Sequence, residues 1–165
     1  MIAVCLTDTK TRIRTFDTDH LEDVLNIERM SFPNPWDWKD FHNYMSDLTF
    51  NGYVITYSPA PSETEFVVGY LVYQAILDSV RIFNVAVHPD FRWFGLGNKL
   101  VTRLKQRTTL VPSLKVVDTL VCEKNLDAQL FFQHLGFNWV ETVRKAYIEG
   151  DGNAYRMELS LKEQK

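Results

Sequence analysis

The segment from Phe83 to Leu100 restricts the possible folds of this 165-residue chain more than any other. An apolar, β-branched run, Phe83-Asn84-Val85-Ala86-Val87, stops at His88-Pro89. After a short loop, Gly95-Leu96-Gly97 opens a stretch in which Leu96, Leu100, Val101 and Leu104 recur at helical spacing. A strand that feeds straight into an amphipathic helix commits the chain to a sheet with helices packed against it. At the junction the glycines let the backbone come close to a ligand where a Cβ would collide. First-turn amides without an intrahelical partner, at the positive end of the helix dipole, make an anion site there. Two familiar phosphate loops are excluded by spacing. No Gly-Lys-Ser/Thr follows Gly97, and position 100 is leucine where the dinucleotide fingerprint requires a third glycine.

The rest of the chain supplies the elements of such a sheet. Thr11 to Phe16 alternates as a short strand, and Asp17, Thr18 and Asp19 are suited to cap the helix that follows. Its stripe is Leu21, Val24, Leu25 and Glu28, widened by Ile27 and Met30, and it must stop before Pro33. The spacing predicts a second helix from about Pro35, with Trp38, Phe41, Met45 and Leu48 inward. Asn51-Gly52 reads as a turn, Tyr53 to Tyr57 as a strand, and Ser58 to Glu63 as a hairpin loop. Phe66 to Leu77 and Val80 to Val87 read as long antiparallel strands around a tight turn at Asp78-Ser79. A helix is expected over Gly97 to Thr108, then a strand over Leu114 to Cys122. Asn125 caps a further helix carrying Ala128, Phe131, Phe132 and Leu135, which Gly136 stops. Two last strands, about Asn138 to Ile148 and Ala154 to Leu161, complete an α/β (α+β) arrangement around one central sheet.

Composition bounds the function. With 45% hydrophobic and 24% charged residues the chain can bury a core, which sets disorder aside. Its length suits one domain, residues 1–165 with a core of about 12–160. A net charge of −3 offers no basic face to nucleic acid, and no run approaches the ~20 apolar residues of a membrane span. Cys5 and Cys122 make no disulfide framework, and His20, His42, His88 and His134 share no zinc-binding spacing, so no metal is expected. The first eight residues lack the basic and apolar regions of a secretory leader, which implies a cytoplasmic protein.

Arg92-x-x-Gly95-x-Gly97 after Val85-Ala86-Val87 resembles the acetyl-CoA motif of the GNAT N-acetyltransferase superfamily. Ile76-Leu77-Asp78, Ile82 to Val87, and Asn125 through Leu135-Gly136-Phe137 extend the likeness. With Phe32-Pro33 and Trp36 they resemble the RimI-like branch, the ribosomal-protein-alanine N-acetyltransferases. The resemblance implies a GNAT fold: a mixed, mostly antiparallel central sheet of about seven strands, splayed near its centre, with helices on both faces. It also implies acetyl-CoA as co-substrate and direct attack of an amine on the thioester, most readily a protein or peptide N-terminus. Backbone groups of Val85, Ala86 and Val87 would hold the pantetheine arm. Amides from Arg92 or Trp93 through Phe94, Gly95, Leu96, Gly97 and Asn98 would cradle the pyrophosphate. Asn125 would reach the cofactor further along, and Phe132 would pack against the pantetheine. Pro33 and Trp36 would form one wall of the peptide groove, and Tyr147, in a late hairpin, would help hold the substrate backbone.

The likeness breaks at the proton carriers. Where the branch places a glutamate base, five residues before Asn125, stands Leu120, and where it places a tyrosine acid stands Phe132. An α-amine with pKa ~7.7–8.0 is about a tenth neutral at pH 7, whereas lysine at ~10.4 is not, a gap worth roughly 3.4 kcal/mol. A site lacking the usual base therefore favours an N-terminal amine. Tyr147, Asn84 and Asp118 are the candidates for a substitute proton carrier, and Glu123 lies on the strand face opposite Leu120. Two other readings stay open: an acetyltransferase for a small amine, and an acyl-CoA-binding module without turnover.

Overall fold

The computed structural model describes residues 10–60, 63–146 and 152–161. In chain order the elements are β1 (Thr11–Thr15), α1 (Leu21–Ser31), α2 (Trp38–Met45), β2 (Phe50–Tyr57), β3 (Phe66–Ile76) and β4 (Ser79–Val87). There follow α3 (Leu96–Thr109), β5 (Val116–Cys122), α4 (Leu126–His134), β6 (Asn138–Val143) and β7 (Ala154–Ser160). The strands form one seven-stranded sheet in the order β1-β2-β3-β4-β5-β7-β6. β1 and β2, β5 and β7, and β6 and β7 pair antiparallel, while β4 and β5 run parallel. The mixed, mostly antiparallel sheet implied by the sequence is therefore present. Among the described residues no helix is long and apolar enough to cross a membrane.

The described residues fall into two compact units. One contains those up to Tyr73 and Asn84–Arg103; the other contains Gln74–Phe83 and those from Leu104 onward. β4 and α3 each contribute to both.

In the first unit, Asp17 accepts from the amide of Asp19 (3.1 Å) and starts a short 3-10 turn, Thr18–His20, that runs into α1. α1 buries Val24, Ile27 and Glu28 and stops at Ser31, before Pro33 as expected. Met30 does not join the stripe; it is 47% exposed. α2 begins three residues later than Pro35. Asp37 accepts from the amides of Lys39 (2.7 Å) and Asp40 (3.0 Å), and Asp40 accepts from the amide of Asp37 (2.8 Å), a reciprocal cap that outweighs proline's preference for a first turn. The helix ends at Met45, so only Phe41 of its expected stripe is buried, and Trp38 and Leu48 face solvent. Phe41 meets Phe16, Trp36 and Tyr70 edge-on with centroids 5.9, 5.3 and 6.1 Å apart. Asn51-Gly52 is no turn but part of β2. A Cβ on Gly52 would stand 2.9 Å from the Leu71 carbonyl oxygen and 3.0 Å from Phe16 Cβ, so the glycine serves close approach within the sheet.

In the second unit, the parallel ladder pairs Ser79, Val80, Arg81 and Ile82 with Val116, Val117, Asp118 and Thr119. The turn before it is Leu77-Asp78, one residue earlier than expected, with Leu77 at φ +56°. The side chain of Asn125 accepts from the amide of Ala128 (3.1 Å) and caps α4, and Gly136 follows its end at φ +90°. Phe132, not Phe131, is the fully buried ring of α4; it packs edge-on against Phe137 and Phe131, each with centroids 5.1 Å apart. Cys122 is a half-buried free thiol. β6 stops at Val143, and the rest of its expected length reaches residues outside those described, as does Cys5.

Candidate active site

The strand-to-helix junction forms as its residues dictate. The amide of His88 bonds the Val68 carbonyl (2.9 Å), and strand alternation then turns the N–H groups of Val85 and Val87 away from β3. Ala86 is buried, while Val85 and Val87 are partly accessible. Pro89–Phe91 make one 3-10 turn, closed by the Arg92 amide on the Pro89 carbonyl (3.3 Å). The Arg92 guanidinium donates to the Val87 carbonyl (3.0 Å) and to Ser31 Oγ (3.0 Å), locking the end of β4 to the end of α1. Arg92 is thus bound up in the scaffold through both backbone and side chain, which narrows the expected amide cradle to Trp93 through Asn98.

Within that cradle Trp93 and Gly95 have φ of +69° and +75°. Gly95 has open space where a Cβ would stand, so the backbone conformation alone asks for glycine. Trp93 carries the left-handed strain without that freedom and is 92% exposed. The first bond of α3 runs from the Lys99 amide to the Gly95 carbonyl (3.1 Å). The amides of Leu96, Gly97 and Asn98 therefore have no intrahelical acceptor, at the positive end of a helix anchored by buried Leu96, Leu100 and Val101. This is a fit for a diphosphate.

A second cluster in the same unit lies just before Val85. Glu28 of α1 is fully buried, and its Oε1 accepts from the Tyr70 hydroxyl (2.6 Å) and from Asn84 Nδ2. Its Oε2 is buried without a hydrogen-bond partner. Burial is the largest influence on this carboxyl and pushes its pKa from the ordinary carboxylate range up to about 7. The Tyr70 hydroxyl and the nearby Trp36 backbone N–H pull it down, and the negative charge of Asp40 pushes it further up. Tyr70, itself fully buried and facing Glu28, is held well above the ordinary phenol range. Asn84, a candidate from the sequence, is thus tied to a residue that sequence reasoning treated as part of an apolar stripe. A carboxylate at a core position of an amphipathic helix was the available signal.

Trp36 stacks on Tyr44 (4.7 Å between centroids) and leans on Phe41, while Pro33 is exposed. Both lie in the loop between α1 and α2, in the same unit as Glu28 and the cradle. The second unit contains Asp118, Leu120, Asn125 and Phe132. Asp118 is buried and takes two hydrogen bonds from Arg81, at 2.5 and 3.0 Å, which makes it a framework ion pair. Glu123 accepts from Asn153 Nδ2 (2.9 Å). Asn125 Oδ1 is engaged in capping, and Phe132 has only a ring to offer. Tyr147 lies outside the described residues. Among the described residues no three His, Cys, Asp or Glu side chains gather as a metal site.

Residues 21–137 match the acetyltransferase (GNAT) family, and the chain belongs to that family of N-acetyltransferases. It is similar to the [ribosomal protein bS18]-alanine N-acetyltransferase of Escherichia coli K12, with 27% identity over 152 residues, 90% of this chain and 95% of that protein. The crystal structure of the ribosomal-protein-S18-alanine N-acetyltransferase from Escherichia coli superposes with a TM-score of 0.78 at 24% identity, covering 94% of this chain and 96% of that one. Arabidopsis thaliana NAA60 in complex with acetyl-CoA superposes at 0.82 with 16% identity, covering 91% and 99%.

Proposed function

We propose that this protein transfers acetyl from acetyl-CoA to the N-terminal α-amine of a protein, a ribosomal protein being the first acceptor to try. The observation that carries the reading is the cradle: free amides of Leu96, Gly97 and Asn98 behind a left-handed Gly95, at the end of a strand whose Val85 and Val87 N–H groups point away from β3. Membership of the acetyltransferase family and similarity to ribosomal-protein-alanine N-acetyltransferases support it. The reading treats residues of about 12–160 as one acetyltransferase domain working in the cytoplasm, where acetyl-CoA and newly made ribosomal proteins meet.

In this scheme the diphosphate of acetyl-CoA binds the amides of Trp93 through Asn98, and the pantetheine arm lies along Val85, Ala86 and Val87. The loop of Pro33 and Trp36 guides the acceptor peptide, with Tyr147 as its further contact. The amine attacks the thioester carbon, and the N–H of Val87 stabilises the oxyanion that forms. Holding amine and thioester in register supplies much of the acceleration. Thiolate, with a conjugate-acid pKa of ~8.5, leaves without a dedicated acid, which accommodates phenylalanine at position 132.

Acetyl-CoA uptake measured by calorimetry, followed by acetylation of two peptides, tests the reading. One peptide has a free N-terminus; the other has the same sequence, capped, with a lysine. Uptake and a preference for the free N-terminus are expected. Lysine preference or absence of uptake overturns the proposal. Uptake with no turnover on either peptide overturns it in favour of an acyl-CoA-binding module.

A further inference from the structure

Resting on the function proposed above, we infer that Glu28 is the proton acceptor for the acceptor amine, receiving its proton at Oε2 through one water. The geometry of three segments argues for it. Glu28 reaches Asn84, the residue before the strand segment assigned to the thioester. The backbone N–H of Trp36, in the loop assigned to the acceptor peptide, also acts on the carboxyl. The carboxyl is therefore placed among residues that serve both reactants, in one compact unit. Leu120, where the family resemblance expects a base, leaves that task vacant.

The hydrogen bonds on the carboxyl divide its two oxygens. Oε1 accepts from the Tyr70 hydroxyl and from Asn84 Nδ2, which fills its lone pairs. Oε2 has no partner at hydrogen-bonding geometry, the Trp36 N–H lying only near the carboxyl; a buried carboxylate oxygen without a donor is costly, a state that Asp118 Oδ1 shares. A proton on Oε2, or a water donating to it, removes that cost. A framework carboxylate is normally given a cation, as Asp118 is given Arg81. Among the described residues, the groups that the structure shows acting on Glu28 are instead neutral or negative: Asn84 from β4, Tyr70 from β3, the Trp36 N–H from the loop, and Asp40 from α2. Such surroundings hold a proton that can be exchanged near neutral pH.

The step balances as follows. The acceptor ammonium gives one proton, relayed by the water, to the Glu28 carboxylate, leaving a neutral amine and a neutral carboxyl. The amine lone pair forms the N–C bond, and the carbonyl π pair moves to oxygen. When the carbonyl re-forms, the C–S bond breaks and its electron pair leaves on sulfur. Of the two hydrogens left on nitrogen, one stays in the amide and the other passes as a proton to the thiolate, and Glu28 returns its own proton to solvent. No oxidant or further reactant is needed.

The test is the pH profile of kcat/KM on a peptide with a free N-terminus, with acetyl-CoA affinity measured alongside, for the wild type, Glu28→Gln and Tyr70→Phe. Glutamine retains an acceptor for Tyr70 and Asn84, so the fold and acetyl-CoA affinity should persist. Expected for Glu28→Gln is a ~100-fold loss at pH 7. The acidic limb, with its midpoint near 7 in the wild type, should move up to the amine's own pKa of ~7.7–8.0. Tyr70→Phe removes a donor that favours the charged carboxylate, so its midpoint should move upward with modest loss of rate. An unchanged rate and midpoint in Glu28→Gln overturns the inference while wild-type turnover leaves the proposed function standing. Should Glu28→Gln lose acetyl-CoA affinity through misfolding, an unmoved midpoint in Tyr70→Phe overturns it equally. A wild type that takes up no acetyl-CoA overturns the proposed function, and the inference with it.

Discussion

Two buried carboxylates in this protein are held in opposite ways. Asp118, on β5 of the second unit, receives the forked guanidinium of Arg81 from the neighbouring strand at a directly paired position. Glu28, on α1 of the first unit, receives only neutral donors; each of the two carboxylates leaves one oxygen without a partner, Oε2 of Glu28 and Oδ1 of Asp118, so the contrast lies in the donors. The guanidinium on Asp118 ties two strands together, whereas burial among dipoles alone raises the pKa of the Glu28 carboxyl. On the inference drawn above, the difference separates framework from working site.

Substitutions can break this comparison. Gly97→Trp should have the largest effect, abolishing acetyl-CoA binding in calorimetry while the unfolding midpoint changes little; undiminished binding would remove the cradle from the site. Arg81→Met leaves Asp118 buried and uncompensated, and should cost about 3 kcal/mol in urea unfolding while acetyl-CoA affinity is kept. If it instead shifts the pH profile of the reaction, Asp118 belongs to the chemistry and the comparison fails.

Glu28 sharpens the comparison through stability. Its folded pKa of about 7 lies above the unfolded value of 4.5, so its contribution is fully present below pH 4.5 and is lost as pH rises through about 7. The whole span is worth on the order of 3 kcal/mol. Glu28→Gln should therefore unfold with a flatter pH dependence than the wild type and exceed its stability above pH 8. A parallel dependence in the two proteins would show that Glu28 does not titrate there. Smallest of all, Asn125→Ala should lose about 1 kcal/mol of helix capping. An accompanying fall in acetyl-CoA affinity would give Asn125 its second, ligand-binding role.

What could be read from the chain differs along the same division. The cradle is a local feature: strand, Pro89, Gly95 and α3 follow one another within a few turns of backbone, and composition and spacing suffice to place them. Local rules misled where several competed. Pro35 suggested a helix start that the reciprocal cap of Asp37 and Asp40 takes over. Gly52 suggested a turn, although its lack of a side chain is used against Leu71 and Phe16. Adjacent phenylalanines could not be told apart until the packing of Phe137 selected Phe132 as the buried one.

By itself, the sequence determined the class of fold, the family, and the glycine loop that we propose as the diphosphate site, because these depend on periodicity, glycine conformation and helix ends that neighbouring residues set. Only tertiary structure decided which carboxylate works. Glu28 meets Tyr70 and Asn84 across separations of 42 and 56 residues, and desolvation, which raises its pKa, exists only once those segments have closed over it.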